Sequence, residues 1–184
     1  MQKRVLLLTG DPGIGKTTVL AKTVDILRAE GYTVGGIITR ENRQDGTRVG
    51  FEIMDISTGK RGWLAHINQP AGPQIGKYKV NIENLTTIGA EAILAAIENC
   101  CVIVIDEIGP MELLSEKFKQ AVSKALESSK PVIAVIHRRA QDKLIVDTRK
   151  REDAELIIIT PQNRECLPKK IAIKIIKILS NANK

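Results

Sequence analysis

Residues Gly10-Asp11-Pro12-Gly13-Ile14-Gly15-Lys16-Thr17 spell G-x-x-x-x-G-K-T at the point where an aliphatic run ends and a helical pattern begins. Each letter has a physical reason. Glycines let the backbone turn its N–H groups inward into a concave anion nest that side chains would block. A helix starting near Lys16 adds the positive end of its dipole. Lys16 then reaches the β- and γ-phosphates of a nucleotide, the Thr17 hydroxyl ligates a magnesium ion bridging them, and Thr18 donates a further hydrogen bond. Nucleoside triphosphates are therefore the expected partners and Mg2+ the expected cofactor.

A second constellation closes the run Val102-Ile103-Val104-Ile105-Asp106-Glu107. An aliphatic strand ending in acids places Asp106 on the hydration shell of the same ion. Glu107 then points at the water to be aligned and deprotonated against the γ-phosphorus, and Ile108 and Gly109 border the nucleotide. Water as acceptor favours hydrolysis over transfer to a hydroxyl. Lys16 and Glu107 are thus the expected catalytic pair, with Thr17 and Asp106 on the metal.

The elements that must hold these residues follow from periodicity. Aliphatic runs at 5–9, 33–39, 102–106, 132–137 and 156–160 alternate with helical stripes such as Leu20, Val24 and Leu27, or Leu114, Phe118 and Val122. That alternation predicts an α/β fold, a three-layer αβα P-loop domain of RecA-like type with a mostly parallel sheet ordered 5-1-4-3-2. The fourth strand then lies between the first and third, and its tip, His137-Arg138-Arg139, faces the γ-phosphate. A small antiparallel hairpin is expected within 41–66, around Asp45-Gly46 and Ser57-Thr58-Gly59, and a loop over 68–79. The whole chain, 1–184, reads as one domain with an inserted hairpin and loop region at about 41–80.

Composition narrows the class. Apolar residues are 43% and aromatics 3%, so the core is expected to be built of Ile, Val, Leu and Ala. A net charge of +7 favours anionic partners, but the basic residues are scattered, so nucleic acid is not the favoured one. Cys100, Cys101 and Cys166 give neither a disulfide framework nor metal spacing and read as buried thiols in a reducing cytosol. The run after Met1-Gln2-Lys3-Arg4 is too short for a signal core or a membrane span, so a cytoplasmic monomer is expected.

The chain resembles the small nucleoside-triphosphatases first known from hyperthermophiles, whose human member is the cancer-related nucleoside-triphosphatase. The resemblance runs over nearly the whole chain. It rests on residues 10–18, on Gly36-Ile37-Ile38-Thr39-Arg40, on Arg48-Val49-Gly50-Phe51, on Gly76-Lys77-Tyr78-Lys79-Val80, on Val104-Ile105-Asp106-Glu107-Ile108-Gly109-Pro110-Met111-Glu112-Leu113, and on Thr160-Pro161-Gln162-Asn163-Arg164. It implies slow hydrolysis of several nucleoside triphosphates to diphosphate and phosphate with little base preference. It also implies a nucleotide contact at Asn163 and Arg164, which otherwise read as an ordinary turn. Pro110 stands where relatives carry Lys, a departure that leaves Asp106 and Glu107 untouched. Arg40, Arg43 and Arg48 could close over phosphates and Trp63 and Tyr78 could stack a base, although exposed charge and core packing explain them more simply; His66 has no assigned role. Two alternatives stay open: a kinase acting on a small molecule or nucleotide, and a RecA-like ATPase stimulated by nucleic acid.

Overall fold

The computed structural model describes residues 3–182; Met1, Gln2, Asn183 and Lys184, part of the expected 1–184 domain, lie outside the described residues. Nine strands form one mixed sheet, ordered β5-β6-β4-β3-β2-β7-β8-β1-β9. Its parallel half consists of β1 (Val5–Thr9), β2 (Val34–Gln44), β7 (Val102–Ile108), β8 (Val132–Ile136) and β9 (Ala154–Ile158). The pairs β2–β7, β7–β8, β8–β1 and β1–β9 are all parallel. Numbered among themselves in chain order, these strands lie 5-1-4-3-2.

The expected small hairpin is corrected to something larger. β2 does not stop at Thr39 but runs on to Gln44, and β3 (Thr47–Asp55) and β4 (Arg61–His66) add to it antiparallel. The segment read as a loop contains β5 (Gln74–Ile75) and β6 (Tyr78–Val80), which continue the same sheet. A strand with Val49, Phe51 and Ile53 on one face needs cover, and joining the main sheet supplies it.

Aliphatic strands buried on both faces separate two cores. On one face pack α1 (Lys16–Ala29) and α6 (Leu167–Ala182), through Val19, Leu20, Val24, Leu27, Ile171 and Ile175. The other face carries α2 (Ile82–Asn84), a π-helical stretch (Leu85–Ala90), α3 (Glu91–Asn99), α4 (Glu116–Glu127) and α5 (Lys143–Arg149). The stripe of α4 starts at Phe118, because Ser115 caps the helix by accepting from the Phe118 N–H and leaves Leu114 outside in a 3-10 turn. Helix α5, too short for a sustained stripe, had no expectation in the sequence. The thiols also differ from expectation: Cys101 and Cys166 are exposed and Cys100 half-buried, since each sits at a helix or strand end and not inside a run.

Candidate active site

The glycine-rich loop of residues 10–17 leaves β1 at Thr9, whose hydroxyl donates to the Ile136 carbonyl at 3.2 Å and ties it to the end of β8. Three glycines shape it. A Cβ on Gly10 would lie 2.9 Å from the Ile159 carbonyl oxygen, while Gly13 and Gly15 have φ of 75° and 101°, the left-handed region that L side chains avoid. Gly15 caps α1 without a side-chain acceptor, so the first-turn N–H groups face the loop's hollow. Lys16 Nζ folds back on the loop and donates to the carbonyls of Gly10 (3.4 Å) and Asp11 (3.2 Å). Those weak contacts are ones a phosphate can replace.

Asp106 and Thr17, far apart in sequence, are brought close enough that the Thr17 hydroxyl helps to hold the Asp106 carboxyl down. Asp106 is only 1% exposed. Burial pushes its carboxyl up to about 6, against the lowering effect of the nearby Thr17 hydroxyl and of hydrogen bonds from Thr39. Thr39 on β2 supplies both its N–H (3.3 Å) and its hydroxyl (3.4 Å) to Oδ2. Sequence reasoning gave Thr39 no role, although it stood inside a quoted motif; only the β2–β7 pairing makes it a neighbour of Asp106.

A buried carboxylate with hydroxyl and amide donors but no cationic side chain beside it lacks the complement its charge requires. A divalent ion held by one carboxylate, one hydroxyl, phosphates and water meets that need, and such sparse protein ligation suits Mg2+. No group of three or more His, Cys, Asp or Glu side chains placed to hold a metal ion by themselves occurs among the described residues.

Glu107 lines a cleft of about 410 Å³ together with Gly10, Asp11, Pro12, Lys16 and the β8 tip, His137, Arg138 and Arg139. Burial raises its carboxyl above the ordinary range, while the positive potential of Lys16 and His137 pulls it back. The Ile108 side chain is 1% exposed in the core, paired with Ile136, and its carbonyl receives the His137 N–H. It holds the β8 tip against β7. Gly109 lies behind Glu107, where a Cβ would stand 3.1 Å from both Glu107 Oε1 and Glu112 Oε2.

Glu112 is the group that sequence reasoning missed. It is buried, and its carboxyl is pushed up to about 8 by burial and by the neighbouring charges of Glu107 and Asp106. Near neutral pH it is largely protonated. The motif containing it was visible, but nothing in the spacing tells a buried acid from a solvated one.

The remaining candidates divide. Thr18, on the exposed side of α1, lines a second hollow of about 100 Å³ with Ile14, Gly15, Val19, Lys22, Arg164 and Glu165. Arg164 therefore faces the P-loop helix. The Asn163 amide is committed to its own turn: Oδ1 accepts from Thr160 N–H and Nδ2 donates to the Ile158 carbonyl. Away from the cleft, Glu41 pairs with Arg43 and Arg48, and Arg48 lies 5.5 Å over the Phe51 ring. Tyr78 packs edge-on against Phe51, and Trp63 lies against His66, so these rings support the extended sheet.

Comparison with known proteins yields consistent matches. The profile of a protein family described as NTPase matches residues 5–172. The nucleoside-triphosphatase THEP1 of Thermofilum pendens is 46% identical over 181 residues, covering 98% of this chain and 100% of that protein. That of Methanosarcina barkeri is 49% identical over 168 residues, 91% and 94% of the two chains. Among solved structures, THEP1 from Aquifex aeolicus superposes with a TM-score of 0.81 at 31% identity, over 91% of this chain and 96% of that one. A human cancer-related nucleoside triphosphatase gives 0.78 at 32% identity, over 92% and 96%.

Proposed function

The chain belongs to the NTPase family and is a nucleoside-triphosphatase, and from that premise we propose that it releases the γ-phosphate of nucleoside triphosphates in the cleft between the P-loop and the β8 tip, with Mg2+ as cofactor and little choice of base. The observation that carries the reading is the single cleft that Glu107 and Lys16 share, next to which Thr17 lies near the buried Asp106. The order of the parallel strands supports a place in the RecA-like division.

In this reading the amides of residues 10–17 cradle the β-phosphate and Lys16 exchanges its two carbonyl contacts for phosphate oxygens. Asp106 and Thr17 would hold the magnesium ion, which when bound neutralises charge on the β- and γ-oxygens. Glu107 takes a proton from water as its oxygen bonds to the γ-phosphorus. The bond from that phosphorus to the β–γ bridging oxygen breaks, and its electron pair leaves with the nucleoside diphosphate. The raised carboxyl of Glu107 makes it a stronger base than an ordinary carboxylate. Beyond the α-phosphate a nucleotide meets the hollow beside Arg164, whose charged rim, Lys22, Arg164 and Glu165, is long-chained and solvated. Such a rim distinguishes bases poorly.

The test is phosphate release from γ-labelled ATP, GTP, CTP and UTP, with Mg2+ or with chelator. We expect all four to be hydrolysed at rates within about an order of magnitude of one another, and release to stop in chelator and in Lys16→Ala. Label transferred to an added nucleotide or metabolite in place of free phosphate would contradict the proposal.

A further inference from the structure

Arg138 sits on the same cleft as Glu107 and Lys16, yet the hydrolytic account above gives it nothing to do. Its guanidinium Nη1 donates to Asp11 Oδ1, so the end of β8 is bridged to the phosphate-binding loop across the cleft. The backbone that carries it is held from behind. Arg149, at the end of α5, donates through Nη2 to the carbonyls of His137 (2.7 Å) and Arg138 (2.9 Å), and the His137 N–H bonds the Ile108 carbonyl at 3.2 Å. Main chain fixed on two sides leaves the Arg138 side chain as the moving part.

We propose that Arg138 is an arginine supplied in cis to the transferring phosphoryl group, parked on Asp11 of the phosphate-binding loop until a nucleoside triphosphate displaces that carboxylate.

The physical case is a competition. The Asp11–Arg138 pair is solvent-exposed on both sides, 72% and 54%, and an exposed pair of single charges is weak. A triphosphate brings several negative charges to the nest directly beneath it, and a guanidinium fork matches phosphate oxygens with two parallel hydrogen bonds. The same arrival repels the Asp11 carboxylate. Charge on the γ-oxygens and the bridging oxygen must be balanced as the phosphorus passes from one oxygen to the other, and besides the metal ion only Lys16 is assigned to the β–γ side. Arg139 lines the same cleft without such a tether, and His137 has its Nδ1 engaged by the Arg139 N–H at 3.3 Å. Arg138 is therefore the member of the tip that the loop itself holds ready.

This inference rests on the hydrolytic reading, and the experiment separates their failures. Arg138→Ala, a change at an exposed side chain, is compared with the native protein for turnover, for binding of ADP, and for binding of ADP with aluminium fluoride, which mimics the phosphoryl group in flight. We expect kcat to fall on the order of 10- to 100-fold, in line with what an arginine in cis is worth to a slow P-loop hydrolase. ADP affinity should stay within about twofold, the aluminium-fluoride complex should be lost, and guanidinium ions should restore part of the rate where sodium at equal ionic strength does not. Asp11→Asn should raise turnover a few-fold in the native background and not in Arg138→Ala. Unchanged kcat in Arg138→Ala, or an equal loss of ADP affinity and turnover, would overturn the proposal. If Glu107→Gln in the otherwise native chain kept full turnover, the hydrolytic reading would fail instead, whatever Arg138 does.

Discussion

Glu112 shows how far the chemistry of one side chain depends on what the fold puts beside it. Its carboxyl moves from 4.5 in the unfolded chain to about 8, because it is buried next to Glu107 and Asp106. The folded value is the higher one, so the contribution to stability is complete below about pH 4.5 and is lost progressively as pH rises toward 8. Glu112→Gln keeps the shape and cannot ionise. In chelator, its melting temperature should match the native protein near pH 5 and exceed it at pH 8 by several degrees, at ~2–4 °C per kcal/mol for a chain of this size. A variant that melts below the native protein by the same amount at both values would contradict the assignment. The P-loop residues were legible in the sequence because their chemistry is local: eight consecutive residues make the nest. The partners of Asp106 were not, since Thr39 lies 67 positions away and reaches it only through strand pairing. Arg138 and Asp11, separated by 127 positions, were equally out of reach of spacing arguments.

At the scale of elements, the site depends on two strands being seated side by side. β2 presents Thr39 and β7 presents Asp106, and between them Gly36 has φ of 112° with its missing Cβ pointing 2.0 Å from the Val104 carbonyl oxygen. No side chain fits there. Gly36→Ala should cost about 4 kcal/mol or more, the range of strained backbone plus a broken buried pairing, and should be seen as a large loss in denaturant midpoint. A variant with native stability would show that the β2–β7 seam is not packed as described. The inner parallel strands were legible because each contains a short aliphatic run buried on both faces. The extent of the antiparallel half was not, because a strand edge looks alike in sequence whether it ends a hairpin or continues a larger sheet. β9 illustrates the opposite limit: an aliphatic run placed at the sheet edge, with Leu156 and Ile158 half exposed.

Over the whole molecule, the two helical layers press an aliphatic sheet whose P-loop and acidic strand end emerge on the same edge, and the long antiparallel extension leaves that edge open. Some of the basic residues are neutralised in ion pairs such as Arg4–Asp153 and Arg151–Asp153, while Lys16, Arg138 and Arg139 gather at the cleft. Aromatic rings lie elsewhere: Phe118 is fully buried, Phe51 and Tyr78 pack together, Trp63 rests on His66, and Tyr32 precedes β2 at the opposite edge of the sheet. That layout fits a molecule whose anionic ligand is a nucleotide, since single-strand binders need stacking platforms beside their basic grooves. No helix among the described residues is long and apolar enough to cross a membrane. The most direct measurement pairs nucleotide binding with phosphate release in Glu107→Gln. Triphosphate affinity should stay within about threefold of native while release falls by about 10² or more, the contribution of a positioned general base. Native rates of release in that variant would contradict the account.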